Sequence, residues 1–159
     1  MKDYVARIRS RIGTDLFIHP AARIIIENEK GEILFVRKTD RDRLALPAGG
    51  FEENEDIEAC IKREVMEETG IELLHLEVIG ISTRPAQEIV HYPNGDIIQY
   101  FTIEFYCNKF KGQLAVTDKE EIAETMFMDR SNLQFIPENE KSIIESWAYY
   151  KKHGRLMLK

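Results

Sequence analysis

Two rhythms of apolar and polar residues run along the chain, one of about 3.6 residues and one of two, and each predicts its own elements. In the first dozen residues Tyr4, Val5, Ile8 and Ile12 share one helical face, Gly13 supplies a stop, and Arg7, Arg9 and Arg11 point elsewhere. ARIIIENEKGEILFVRK holds two β-branched runs around Asn28-Glu29-Lys30-Gly31, which predicts a hairpin. RLALPAGG is a short extended segment entering a proline-glycine loop, and LLHLEVIGIST predicts another strand. EIVHYPNGDIIQYFTIEFYC reads as a second hairpin, turning at Pro93-Asn94-Gly95-Asp96. The acidic loop TDKEEIAE then precedes TMFMD, a short strand. Pro137 opens a closing helix striped by Ile143, Ile144, Trp147 and Tyr150 and stopped at Gly154. Strands in hairpins with helices interspersed argue an α+β fold rather than strict βαβ winding.

One predicted helix carries a conflict. Ile57, Cys60 and Ile61 fall on one arc, and the same i, i+3, i+4, i+7 spacing then reaches Glu64, Glu67 and Glu68 before Ile71 resumes the apolar register. Burying one unpaired carboxylate costs on the order of several kcal/mol, and clustered carboxylates also repel each other. The three glutamates therefore face a solvent-filled cleft or surround a cation, and a hard divalent metal satisfies them best. Glu64 and Glu68 are four residues apart with Glu67 between them in azimuth, so all three can converge on one ion cluster. Glu55 and Asp56 fall in the first turn, where they complement the helix dipole. Arg63 can reach Glu67 along the helix or Glu55 across the loop, and so hold a carboxylate in its working rotamer. Gly49 and Gly50 let the preceding loop turn sharply and bring backbone carbonyls close to such a metal.

Composition narrows the partners. With 159 residues, 43% hydrophobic and 31% charged, the chain suits one well-buried core. Twenty-two basic against 28 acidic residues give a net charge of -6, which argues against a nucleic-acid duplex or an anionic membrane as the main partner. Cys60 and Cys107 stand in no metal or redox motif. No apolar run approaches the roughly 18 residues of a membrane span, and the opening residues lack the apolar core of a secretory signal, so the expected compartment is the cytoplasm. Residues 1–13 are expected to form a docking or dimer-contact helix, consistent with a homodimer, and residues 14–159 a single domain.

Read as fixed spacings, the acidic segment is Gly49, five residues, Glu55, seven residues, then Arg63-Glu64-Val65-Met66-Glu67-Glu68-Thr69-Gly70-Ile71. This resembles the Nudix box at every defining position, and the order of elements around it resembles the Nudix fold over most of the chain. Asn54 stands where the family commonly has glycine, and asparagine tolerates positive φ or caps a helix. The resemblance implies an α/β/α sandwich with a mixed β-sheet, acting as a hydrolase on a small nucleotide. It implies Mg²⁺ or Mn²⁺ on Glu64, Glu67, Glu68 and the carbonyl of Ala48, with water attacking phosphorus in a nucleoside diphosphate derivative.

The implied catalytic set is Glu64, as base as well as ligand, with Arg63, Glu55 and Glu121. Some members take the base from a loop outside the box, and Asp118-Lys119-Glu120-Glu121 is the candidate here, the alternative being a solvated turn. Arg37 resembles a position that contacts substrate phosphate, or is a solvated strand-end arginine, and Gly49 is expected beside the substrate. Arg84 and His91 have weaker claims. Tyr92, Tyr100 and Phe101 could stack on a base or fill the core. LPAGG is reminiscent of ADP-ribose pyrophosphatases, with a mutator-type (d)NTP pyrophosphohydrolase as the alternative substrate reading. A non-catalytic nucleotide-binding module would predict decay of the metal ligands, yet Glu64, Glu67 and Glu68 are all present.

Overall fold

Ile24, Ile25 and Ile26 are all fully buried, so the strand that carries them is covered on both faces. The computed structural model describes residues 2–40 and 42–159. After helix α1 (Lys2–Ile12), the strand in question is β1 (Phe17–Ile26), followed by β2 (Ile33–Lys38), β3 (Leu44–Ala45) and β4 (Ala48–Gly50). Helix α2 (Ile57–Thr69) leads to β5 (Glu72–Ser82), the short α3 (Pro85–Glu88), β6 (Ile89–His91), β7 (Ile97–Lys111) and β8 (Ile122–Met128). Two 3₁₀ turns precede α4 (Ser142–His153) and the final strand β9 (Met157–Leu158).

β1 lies inside a mixed sheet of order β4-β1-β7-β5-β9, with β6 also on β7. It runs parallel to β7 over ten paired positions and antiparallel to β4. On one face Ile24 and Ile26 pack with Cys60, Ile61 and Val65 of α2. On the other, Ile25 packs with Ile79, Ile143 and Trp147, bringing in α4. Helices on both faces give the expected layered α+β arrangement. A second, antiparallel sheet of order β3-β2-β8 joins both core clusters through Leu34, Ile33 and Phe35.

The first predicted hairpin is only half right. Asn28 does make the turn, its side-chain oxygen accepting from the N–H groups of Lys30 and Glu32 at 3.0 and 2.9 Å. The strands it joins nevertheless enter different sheets and share a single bridge, Glu27 with Ile33. Both runs are apolar on both faces, and such a run specifies burial without specifying a partner. The second hairpin forms as expected, with His91 opposite Ile97 across the Tyr92–Asp96 turn. β8 starts at Ile122, inside the segment expected to be acidic loop, because Lys38 and Arg37 of β2 pair with Ile122 and Glu124. Pro137 opens a 3₁₀ turn, Glu138–Glu140, rather than the helix itself, which begins at Ser142 and ends at Gly154 with φ 68°.

α1 packs on its own chain, with Tyr4, Val5, Ile8 and Ile12 half-buried. Arg9 was expected to point outward and instead points in. Its guanidinium donates to the carbonyls of Gly13 (3.1 Å), Asp15 (2.7 Å) and Ile97 (2.9 Å) and lies 4.8 Å over the Phe17 ring. Arginine satisfies carbonyls left over at a helix end while stacking its plane on an aromatic face. Among the described residues no helix is long and apolar enough to cross a membrane.

Candidate functional site

α2 is fixed at both ends by local chemistry. Asp56 is the N-cap, its carboxylate accepting from the Ala59 N–H at 2.8 Å, and Gly70 closes the helix at φ 75° with its N–H on the Met66 carbonyl. Glu55 therefore lies before the helix, not in its first turn. From there its carboxylate accepts from the Glu52 N–H (2.8 Å) and from Arg63 Nε and Nη2 (3.0 and 2.7 Å). Asn54 takes positive φ, 67°, the backbone state that glycine would otherwise supply.

The apolar half of the stripe anchors the helix and the acidic half goes down with it. Cys60, Ile61 and Val65 are fully buried, Glu64 and Glu68 are 7% and 2% exposed, and Glu67 is half-buried. Arg63 Nη1 donates to Glu64 at 2.8 Å and lies 3.5 Å from Glu67, while Arg63 Nη2 donates to the Gly50 carbonyl at 3.2 Å. Gly49 sits directly against Glu64, since a Cβ there would fall 2.0 Å from its carboxyl carbon. Ala48, beside it, reaches Glu68 instead, its N–H donating to that carboxylate at 3.3 Å.

Burial pushes the Glu64 carboxyl up to about 7, with the Arg63 hydrogen bond pulling the other way and Glu67 and Glu121 adding repulsion. Burial raises Glu68 well above the usual carboxylate range, opposed by Lys38 and reinforced by Glu64 and Glu121. Arg63 holds Glu55 below its ordinary value. Among the described residues no three His, Cys, Asp or Glu side chains stand closed around one point as a metal cage. Glu64 and Glu67 turn instead to Arg63. The donor set still fits a hard divalent cation: carboxylate oxygens on adjacent helical turns, two of them nearly buried, with burial and mutual repulsion raising Glu64 and Glu68.

The acidic loop is fastened beside this cluster. The N–H groups of Thr117 and Asp118 donate to the Glu67 carbonyl at 3.0 and 3.1 Å, Thr39 donates to the Glu120 carbonyl at 2.7 Å, and Lys38 lies 3.5 Å from Glu121. Glu64, Glu67 and Glu121 open on one cleft of about 1490 Å³, whose walls, among the described residues, carry ten carboxylates against four cations. Glu68 is buried and does not line it.

Arg37 is not brought into the cleft. It pairs with Asp42 (3.3 Å) and Glu124 (3.7 Å), and its neighbour Lys38 lines the cleft instead. Arg84 pairs with Glu145 away from the site, and His91 is an exposed residue of β6. Tyr92 and Tyr100 line the cleft and share a hydrogen bond between their hydroxyls, whereas Phe101 is 41% exposed and does not line it. Sequence reasoning missed Arg23, which reaches the cleft while nearly buried, 3.4 Å from Glu88 and 3.6 Å from Glu104. The available signal was an arginine set against the apolar run of β1.

The NUDIX domain profile matches residues 17–147. An ADP-ribose pyrophosphatase of Methanocaldococcus jannaschii is 30% identical over 140 residues, spanning 86% of this chain and 78% of that protein. An RNA pyrophosphohydrolase of Pseudomonas putida is 26% identical, spanning 64% of this chain and 70% of its own. Among solved structures, a MutT protein from Methanosarcina mazei superposes with a TM-score of 0.66 at 20% identity, covering 85% of this chain and 96% of that one. At these identities the structural likeness speaks for the fold, an α/β/α layering around a mixed sheet.

Proposed function

The chain belongs to the Nudix hydrolase family, and from that premise we propose that it cleaves the diphosphate linkage of a nucleoside diphosphate derivative in a cation-dependent reaction. The observation that carries the reading is the pair of buried carboxylates, Glu64 and Glu68, pressed against the Ala48-Gly49 strand beside a strongly acidic cleft. Such a cleft repels phosphate until a cation reverses its local field. At about 1490 Å³ it also exceeds the usual ~300–1,000 Å³ of a small-ligand site, which leaves room for a nucleotide with a second group attached.

Glu64, Glu67 and Glu68, with the Ala48 carbonyl, would hold Mg²⁺ or Mn²⁺. When bound, that cation polarises phosphoryl oxygens and lowers the pKa of nearby water. The chain's own residues set the geometry. Arg63, locked by the two hydrogen bonds it donates to Glu55, keeps Glu64 aimed past Gly49. A carboxylate oxygen of Glu64 or Glu121 takes the proton of the attacking water. Lys38 and Arg23, which line the cleft while paired with Glu121 and with Glu88 and Glu104, would meet substrate phosphate, whereas Arg37, held by Asp42 and Glu124, does not line it.

An ADP-ribose-like substrate is favoured because a 30%-identical relative is named an ADP-ribose pyrophosphatase. A (d)NTP is the second reading, and a non-catalytic module is disfavoured because every proposed ligand is retained. The test is a panel of ADP-ribose, dinucleotides, nucleotide sugars and (d)NTPs, with and without Mg²⁺, read by mass spectrometry for wild type and Glu68→Gln. Mg²⁺-dependent cleavage lost in Glu68→Gln supports the reading. Absence of turnover across the panel, or turnover indifferent to Mg²⁺, defeats it, and preference for (d)NTPs over ADP-ribose removes the substrate lean.

A further inference from the structure

The family match begins at residue 17, yet Tyr4 and Asp3 of α1 line the same cleft as Glu64 and Glu67. We infer that α1 is the wall of the cleft's nucleoside end and that Tyr4 stacks on the substrate's base. The inference rests on the hydrolase reading for its substrate, and on three independent features for its geometry.

First, α1 is clamped rather than merely resting on the domain. Arg7 forms an ion pair with Glu53, in the loop between Gly49 and α2, and Arg9 ties the helix end to the Ile97 carbonyl at the start of β7. The helix thus bridges the loop of the acidic site to the strand that carries Tyr100.

Second, Tyr4 has a rigid backing. Its ring stacks on His19 at 5.7 Å and 23°, and His19 is also in contact with Phe17 and Tyr100 at 5.8 and 6.1 Å. His19 is 1% exposed and neither ring nitrogen has a hydrogen-bond partner among the described residues. A buried imidazole without partners is an unfavourable filler. It does, however, offer a flat surface that fixes the plane of Tyr4 against movement. Two rotatable side-chain angles, one face already occupied, make Tyr4 an aromatic surface that loses little entropy on binding.

Third, the two ends of the cleft differ in chemistry. Glu64 and Glu67 share α2 with the Glu121 loop fastened to it, while Tyr4 and Tyr100 both lie against His19 and Tyr92 hydrogen-bonds Tyr100, giving a separate aromatic neighbourhood. Asp3 and the Arg7-paired Glu53 also line the cleft, and their carboxylates suit a ring whose edge carries N–H donors. A planar heteroaromatic base meets both demands. Base stacking on an aromatic side chain is strong enough for truncation to cost about tenfold or more in affinity.

The full chain is assayed with Mg²⁺ and ADP-ribose as wild type, Tyr4→Phe and Tyr4→Ala. Tyr4→Ala is expected to raise KM about tenfold with kcat within about twofold, and Tyr4→Phe to retain the wild-type KM. In parallel, amide exchange over residues 2–12 is followed in wild type with AMP and with ribose 5-phosphate. AMP should slow exchange and ribose 5-phosphate should not. An unchanged KM in folded Tyr4→Ala, or equal protection by the two ligands, overturns the inference. If Tyr4→Ala does not fold, the wild-type exchange comparison decides alone. If wild type cleaves no diphosphate while AMP still protects α1, the hydrolase reading fails and the base-binding wall stands.

Discussion

Gly49 and Glu64 approach so closely that the smallest side chain at position 49 would overlap the glutamate carboxyl. The glycine is required by space here, not by backbone angle, since its φ is unremarkable for any residue. Gly49→Ala should displace Glu64 by about 1 Å or more, and a misplacement of that size costs ~10²-fold in rate. We expect kcat to fall by about that factor while the far-UV circular dichroism spectrum stays that of wild type. Wild-type turnover in Gly49→Ala would show that Glu64 does not have to occupy this position.

Arg63 serves Glu55 and Glu64 at once, with 2.7 Å and 2.8 Å contacts from its two terminal nitrogens. Its hydrogen bond is the main influence holding Glu64 down against burial. Without it the Glu64 carboxyl must rise further. Arg63→Gln should therefore move the acid limb of the pH–rate profile upward by about one unit or more, besides lowering the maximum rate. Lysine at 63 cannot reproduce the fork and should recover little of the loss. The pH–rate profiles of both variants against wild type give the answer, and an unmoved acid limb would sever Arg63 from Glu64.

The raised Glu64 carboxyl also links stability to pH. A carboxyl at 4.5 when unfolded and about 7 when folded binds its proton more tightly in the native state. Its contribution is complete below pH 4.5 and is lost as pH rises through 7, up to about 3 kcal/mol. Metal-free protein should accordingly show a falling Tm from pH 5 to 8, less so in Glu64→Gln. Mg²⁺ competes with that proton, so at pH 8 a hundredfold excess over Kd should add roughly 2.7 kcal/mol of stability and raise the Tm, and it should do much less at pH 5. Calorimetry with EDTA or Mg²⁺ at the two pH values measures this directly.

How much of this could be read from the chain follows from how far apart the interacting residues lie. The α2 cluster was legible because Arg63, Glu64, Glu67 and Glu68 share one stretch of helix and Glu55 lies in the loop just before it, all within fourteen positions. The Asn28 turn was legible for the same local reason, but not the sheets on either side, because Ile24–Ile26 and Ile33–Val36 are buried all round and carry no alternation to mark a partner. Arg37 and Lys38 fall at a register shift between β2 and β8, and no local pattern announces which of the two lines the cleft. Arg9 turned inward because its acceptors include Ile97, far along the chain. Arg23 was invisible for the same reason, its carboxylate partners lying on α3 and β7.

Those distant partners form the second charged centre of the molecule, and its weak point is Lys159. Its ammonium donates to both oxygens of Glu104, at 3.1 and 2.9 Å, and to the Ser142 carbonyl at 2.6 Å, with both charged side chains fully buried. Glu104 also accepts from Ser142 and Ser146, and Gly80 leaves the room for it: a Cβ there would fall 2.3 Å from the carboxylate. Arg23 approaches the same carboxylate only at 3.6 Å and is shared with Glu88. Lys159→Met therefore leaves a buried carboxylate short of its closest countercharge, which costs about 3–5 kcal/mol. Adding Glu104→Gln removes that uncompensated charge, so the double variant should be more stable than Lys159→Met alone. Urea melts of the two single variants and the double variant measure the coupling. Additive losses would mean that Glu104 draws its compensation from Arg23 and the serines, leaving Lys159 a bystander to the charge beneath the cleft.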